Sequence, residues 1–147
     1  MKILARQLTL DLYNCNEKKL TDLDAIKNLL SAVFSHEPNF TAENIGHEHS
    51  AIIGAFREGH VAIHVYSALH YVAADIFTCT ESSNPDALEK VLRKFFQPDK
   101  IKSTFLKRGD FGQEHEVTPQ IKTRVAPLRR VRNVGARVVK TLIRRGN

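Results

Sequence analysis

Between positions 60 and 66 the chain changes character at every second residue. Val61, Ile63 and Val65 alternate with His60, Ala62, His64 and Tyr66. Successive side chains of an extended strand point to opposite faces, so a period of two predicts a strand with one apolar face. The run from Tyr71 to Thr78 is almost continuously apolar, which predicts a central strand buried on both faces. Near the start, Leu8, Leu10 and Leu12 alternate with Thr9, Asp11 and Tyr13 over residues 4–13, a half-buried strand. Three such runs in one short chain demand a sheet.

The connecting segments supply what covers it. Leu23, Ile26, Leu29, Leu30 and Val33 recur at helical spacing and predict an amphipathic helix over about 22–35. Thr21 followed by Asp24 is its capping-box-like start. Asn84-Pro85 opens a second helix, about 85–96, with a stripe of Leu88, Val91, Leu92 and Phe95, and Pro98 stops it. Residues 36–50 are polar and read as a loop with a short extended piece near Phe40. Ala51 to Phe56 is a short strand, Glu58-Gly59 a turn, and Ile101 to Leu106 a last strand. The order β-α-β-β-β-α-β predicts an α+β two-layer sandwich, an antiparallel sheet covered on one face by two helices.

A chain of 147 residues has room for one core. No window approaches an 18-residue apolar span, and the first residues are too short an apolar run for a signal peptide. Cys15 and Cys79 are too few for a disulfide framework and read as free thiols of a reducing, cytoplasmic compartment. The net charge of +6 is uneven. Residues 118–147 hold nine of the 22 basic residues and no acidic one, which leaves 13 basic against 16 acidic in 1–117, a formal −3. The division expected is a mildly acidic domain, 1–117, with a basic tail, 118–147. Leu128, Val131, Val134, Val138 and Leu142 recur at three and four, so about 127–145 reads as a basic amphipathic helix. Such a tail can dock on the acidic body, lie on an anionic membrane, bind nucleic acid, or remain a solvated extension.

The run Glu58-Gly59-His60-Val61-Ala62-Ile63-His64, with Asp75-Ile76-Phe77-Thr78-Cys79 after it, resembles the prokaryotic S-adenosylmethionine decarboxylases. There the first run reads Glu-Ser-His-Leu-Ser-Ile-His and the second ends Asp-Val-Phe-Thr-Cys. The opening Ala5-Arg6-Gln7 through Leu12-Tyr13-Asn14-Cys15, and the closing Lys107-Arg108-Gly109, are similar to that family too, so the resemblance spans about residues 4–110. It implies a pyruvoyl enzyme, in which a serine attacks the preceding glutamate's carbonyl, the chain splits, and the new terminus becomes the electron sink for loss of CO2.

Carried across, Glu58 matches the residue before the cut and Gly59 the serine. His64 matches the histidine that assists processing, and Cys79 the cysteine that protonates the carbanion. Tyr66 stands in the segment of the family's Thr-Trp-Pro-Glu, as the aromatic that stacks on the adenine. Ala68 replaces the carboxylate expected on the ribose. Glycine has no hydroxyl, so the expectation is no pyruvoyl cofactor and no self-processing. Read without the resemblance, His64 is a hydrogen-bonded strand histidine and Cys79 a small hydrophobe. His60 and His64 share a strand face without an apparent third ligand, and no metal site is expected. His47 and His49 lie nearby in sequence, and no pattern places them.

Three readings follow, two from the resemblance and one from the tail. The first is an unprocessed homologue of polyamine metabolism that binds an S-adenosylmethionine- or polyamine-like ligand, or pairs as a homodimer, or as a heterodimer with an active paralogue. The second is an active decarboxylase of S-adenosylmethionine or a related basic amino acid. The third, from the tail alone, is a membrane or nucleic-acid adaptor.

Overall fold

The structure, a computed structural model, describes residues 5–34, 39–80, 85–109 and 118–126. Strand β1, Ala5–Tyr13, buries Leu8, Leu10 and Leu12 and turns Gln7, Thr9, Asp11 and Tyr13 to the opposite face. A single 3-10 turn at Glu17–Lys19 follows, capped by Asn16, whose side chain accepts from the Lys18 amide. Helix α1, Leu23–Val33, buries Ile26 and Leu30. Its cap is Asp22, whose carboxylate accepts from the Ala25 amide at 2.9 Å, one residue later than the expected Thr21. Asp22 wins because a carboxylate at the first position also meets the positive end of the helix dipole.

Strands β2, Asn39–Asn44, β3, His49–Phe56, β4, Gly59–Tyr66, and β5, Tyr71–Thr78, form consecutive hairpins. Helix α2, Pro85–Phe96, buries Leu88, Leu92 and Phe96. Strand β6, Lys100–Arg108, returns beside β1, and β7, Gln120–Val125, pairs with β6. The sheet order is β2-β3-β4-β5-β1-β6-β7, antiparallel at every pairing. Among the described residues this is the two-layer α+β sandwich that the patterning predicts. No described helix is long and apolar enough to cross a membrane.

One core lies between the sheet and both helices. Leu8, Leu10, Leu12, Val61, Ile63, Val65, Val72 and Ile76 meet Ile26, Leu30, Leu88, Leu92 and Phe96 there. Among the described residues, the other face of the sheet carries no helix. This corrects the reading of β5. Val72, Ala74, Ile76 and Thr78 are buried, whereas Tyr71, Ala73 and Phe77 are half-buried and Asp75 is exposed. Small residues such as Ala73 make a run look apolar throughout even where one face is open.

Two further differences concern local boundaries. The β3–β4 turn is Arg57-Glu58, and Gly59 is the first residue of β4, paired with both Phe56 and Thr78. Strand β7 falls inside the basic segment that sequence patterning set apart as a tail. Ile121-Lys122-Thr123-Arg124-Val125 does alternate, but five of the strand's six residues are exposed and it has no buried face to announce it. The expected helix over 127–145 and the Asn84 cap lie outside the described residues.

Candidate functional site

Of the residues singled out in the sequence, Glu58, Gly59 and Cys79 meet at one end of the open sheet. Cys79 directly follows β5, and its amide donates to the Glu58 carbonyl at 2.7 Å. Its thiol donates to the same oxygen at 3.0 Å. The Glu58–Gly59 peptide therefore has its carbonyl held by two donors, an arrangement that polarises a carbonyl towards attack. Cys79 is exposed and free, whereas Cys15 is buried with its thiol on the Leu12 carbonyl at 3.5 Å. Burial, with the charge of Asp99, pushes the Cys15 thiol up to about 12, so it is the inert member of the two.

The backbone closes tightly around Gly59. Its φ is +156°, and a Cβ built there would lie 1.8 Å from the Phe77 carbonyl oxygen and 2.8 Å from the Phe77 carbonyl carbon. Both obstacles are main chain of the neighbouring strand and cannot swing away. Beside them His60 stacks on Phe77, with centroids 5.1 Å apart, and Arg108 also lies over the Phe77 ring, at 5.8 Å.

His64 and Tyr66 lie elsewhere. Five residues of extended strand separate Gly59 from His64, about 16 Å. Four separate His60 from His64, about 13 Å, so the two cannot share an ion. No cluster of three metal-ligating side chains exists among the described residues.

At this second end the side chains form a ladder of rings across four strands. His64 Nδ1 lies 3.0 Å from His49 Nε2. His49 stacks on Tyr66 with centroids 4.3 Å apart and 13° between planes. Tyr66 stacks on Tyr71 at 5.6 Å, and Tyr71 meets Tyr13 at 5.4 Å. The Tyr71 hydroxyl donates to Asp11 at 2.5 Å, and Lys100 sits over Tyr13. Burial, the hydrogen bond to Asp11 and its negative charge hold the Tyr71 phenol above its ordinary value. Tyr66 has an aromatic neighbour across the sheet on each side, so an adenine stacking on it has to displace one of them.

His49, Tyr71 and Asp11 are the site residues that sequence reasoning missed. The signal for His49 was register: with β3 starting at His49 instead of Ala51, it falls opposite Tyr66. Asp11 sits on the open side of a run whose apolar side was the one noticed, and Tyr71 on a run read as buried on both faces.

Fold and site together define a class: an antiparallel sheet with a polar, aromatic open face and a hairpin peptide clasped by a cysteine. The family model for S-adenosylmethionine decarboxylase matches residues 6–109. The chain is 31% identical over 118 residues to an S-adenosylmethionine decarboxylase proenzyme of Methanococcus vannielii, covering 74% of this chain and 93% of that protein. It is 32% identical over 120 residues to a proenzyme of the same description from Thermomicrobium roseum, covering 74% and 97%. The crystal structure of the adenosylmethionine decarboxylase from Aquifex aeolicus superposes with a TM-score of 0.67 at 18% identity, covering 79% of this chain and 99% of that one. The chain belongs to the S-adenosylmethionine decarboxylase family.

Proposed function

We propose that this chain is an S-adenosylmethionine decarboxylase homologue of polyamine metabolism that does not process itself. It serves as a binding or regulatory protein, a pseudoenzyme. The observation that carries the reading is position 59. Glycine supplies no hydroxyl, and the Phe77 carbonyl fills the place where a side chain would begin. The residues there do not fit a pyruvoyl precursor. Cys79 and the doubly held Glu58 carbonyl are the inherited frame of a reaction without its nucleophile.

The ligand is an S-adenosylmethionine- or polyamine-like molecule, and the partner a second copy or an active paralogue. Pairing is favoured by the split of the site. One chain places Cys79 and His64 at opposite ends of the open face, so a second sheet laid across that face is what brings the two ends together. Ile53 and Ile121, both on that face, are 51% and 62% exposed, which suits a surface that is covered in an assembly.

Intact mass spectrometry tests the reading. The expected species is one uncut chain of 16.6 kDa, inert to borohydride. Fragments meeting between residues 58 and 59, with a reducible carbonyl on the second, would establish the other reading, an active decarboxylase. The two donors on the Glu58 carbonyl are the feature that favours that alternative.

A further inference from the structure

We infer that His49 is a positioning residue. It donates its Nε2 hydrogen to Nδ1 of His64 and leaves His64 facing the open sheet with an Nε2–H donor. The site at this end therefore selects a ligand group that accepts a hydrogen bond, a carboxylate or carbonyl oxygen. The inference rests on reading His64 as a site residue and adds what sets its role.

Two ring nitrogens 3.0 Å apart are at hydrogen-bond distance and have room for one proton between them. The ring centroids are 5.2 Å apart, close to the nitrogen separation plus a ring radius on each side. The rings thus meet end on, as in an N–H···N bond, and are not turned towards a shared ion. With the proton on His49 Nε2, both imidazoles occupy the Nε2–H form, the favoured tautomer of a free neutral ring. The reverse assignment forces both into the less favoured one. Among the described residues Nε2 of His64 has no other partner, and its cross-strand neighbours are the small Ala51 and Ala73.

His49 is itself held in place. Its ring lies on Tyr66, which is braced by Tyr71, which is tied to Asp11. Its carbonyl accepts from the amides of Ile45 at 2.8 Å and Gly46 at 3.2 Å. A ring fixed by a stack and by its own backbone can orient a neighbour.

The test uses 15N-labelled full-length protein. Magnetic resonance should detect a nitrogen–nitrogen coupling across the hydrogen bond from His49 Nε2 to His64 Nδ1, with His64 protonated at Nε2. Calorimetry with S-adenosylmethionine should find binding about tenfold weaker in His49→Phe, which keeps a ring on Tyr66 but has no donor. His49→Gln, which places an N–H near the same point, should recover most of it. Absence of the coupling, or a His64 with bare Nε2, overturns the inference, as does unchanged affinity in folded His49→Phe. If the wild-type chain binds no S-adenosylmethionine, the ligand reading above fails, and the coupling alone decides this one.

Discussion

Replacing Gly59 with serine adds a hydroxyl at the position we propose for self-processing, and the geometry says that this is not enough. A Cβ at position 59 lies 1.8 Å from the Phe77 oxygen, where real contacts essentially never fall below 3.0 Å. The strands must therefore part by roughly 1.2 Å, the difference between those two distances. Forcing an extra atom into a closed packing costs about 1–3 kcal/mol. Opening the β4–β5 end also loosens the Cys79 amide and thiol bonds to Glu58, about 0.5–1.5 kcal/mol each. A φ of +156° adds strain for any residue with a Cβ. Gly59→Ser and Gly59→Ala should each lose about 2–6 kcal/mol in urea unfolding, with a melting temperature lower by about 10 °C or more. Because alanine has the Cβ and no hydroxyl, it separates the steric effect from the chemical one. Gly59→Ser should also stay uncut by intact mass. A serine variant as stable as the parent that then cleaves between 58 and 59 would refute the reasoning, since it would mean the Phe77 carbonyl yields freely.

Three further outcomes follow from the same geometry. Iodoacetamide at neutral pH should alkylate Cys79 in the native chain and reach Cys15 only on unfolding, because Cys15 is buried and its thiol is pushed up to about 12. Alkylated Cys79 should lose its hydrogen bond to Glu58 without unfolding the domain. Ultraviolet titration should find Tyr71 ionising above the ordinary phenol range, and Asp11→Asn should bring it down. The sign is that of a group raised in the folded state, so its contribution is intact below the unfolded phenol value of about 10 and drains away at higher pH. Phe96→Ala, at a fully buried ring against β1 and α2 neighbours, should cost about 3–5 kcal/mol in denaturant unfolding.

Much of this architecture is legible in the sequence. The alternation of Leu8, Leu10 and Leu12, and of Val61, Ile63 and Val65, assigned core-facing side chains correctly, and both helices fall within two residues of their expected bounds. The cysteine and the Glu58-Gly59 peptide were also marked, and they do touch. What escaped was of two kinds. Strand β7 has no apolar face to advertise itself, and its pairing with β6 comes from backbone hydrogen bonds that any residue can make. The ring ladder was invisible because its members, Asp11, Tyr13, His49, His64, Tyr66 and Tyr71, come from four separate strands.

Periodicity is a local property, since burial acts on each segment's own side chains, and so the order of residues settles which side of β1, of β4 and of each helix faces the core. Adjacency is not local. Which ring lies beside which depends on the register between strands up to 60 residues apart, and only the assembled sheet sets it. The same holds for Gly59. That position 59 is a glycine is plain in the chain, but that a Cβ has no room there is decided by where the carbonyl of Phe77 comes to rest.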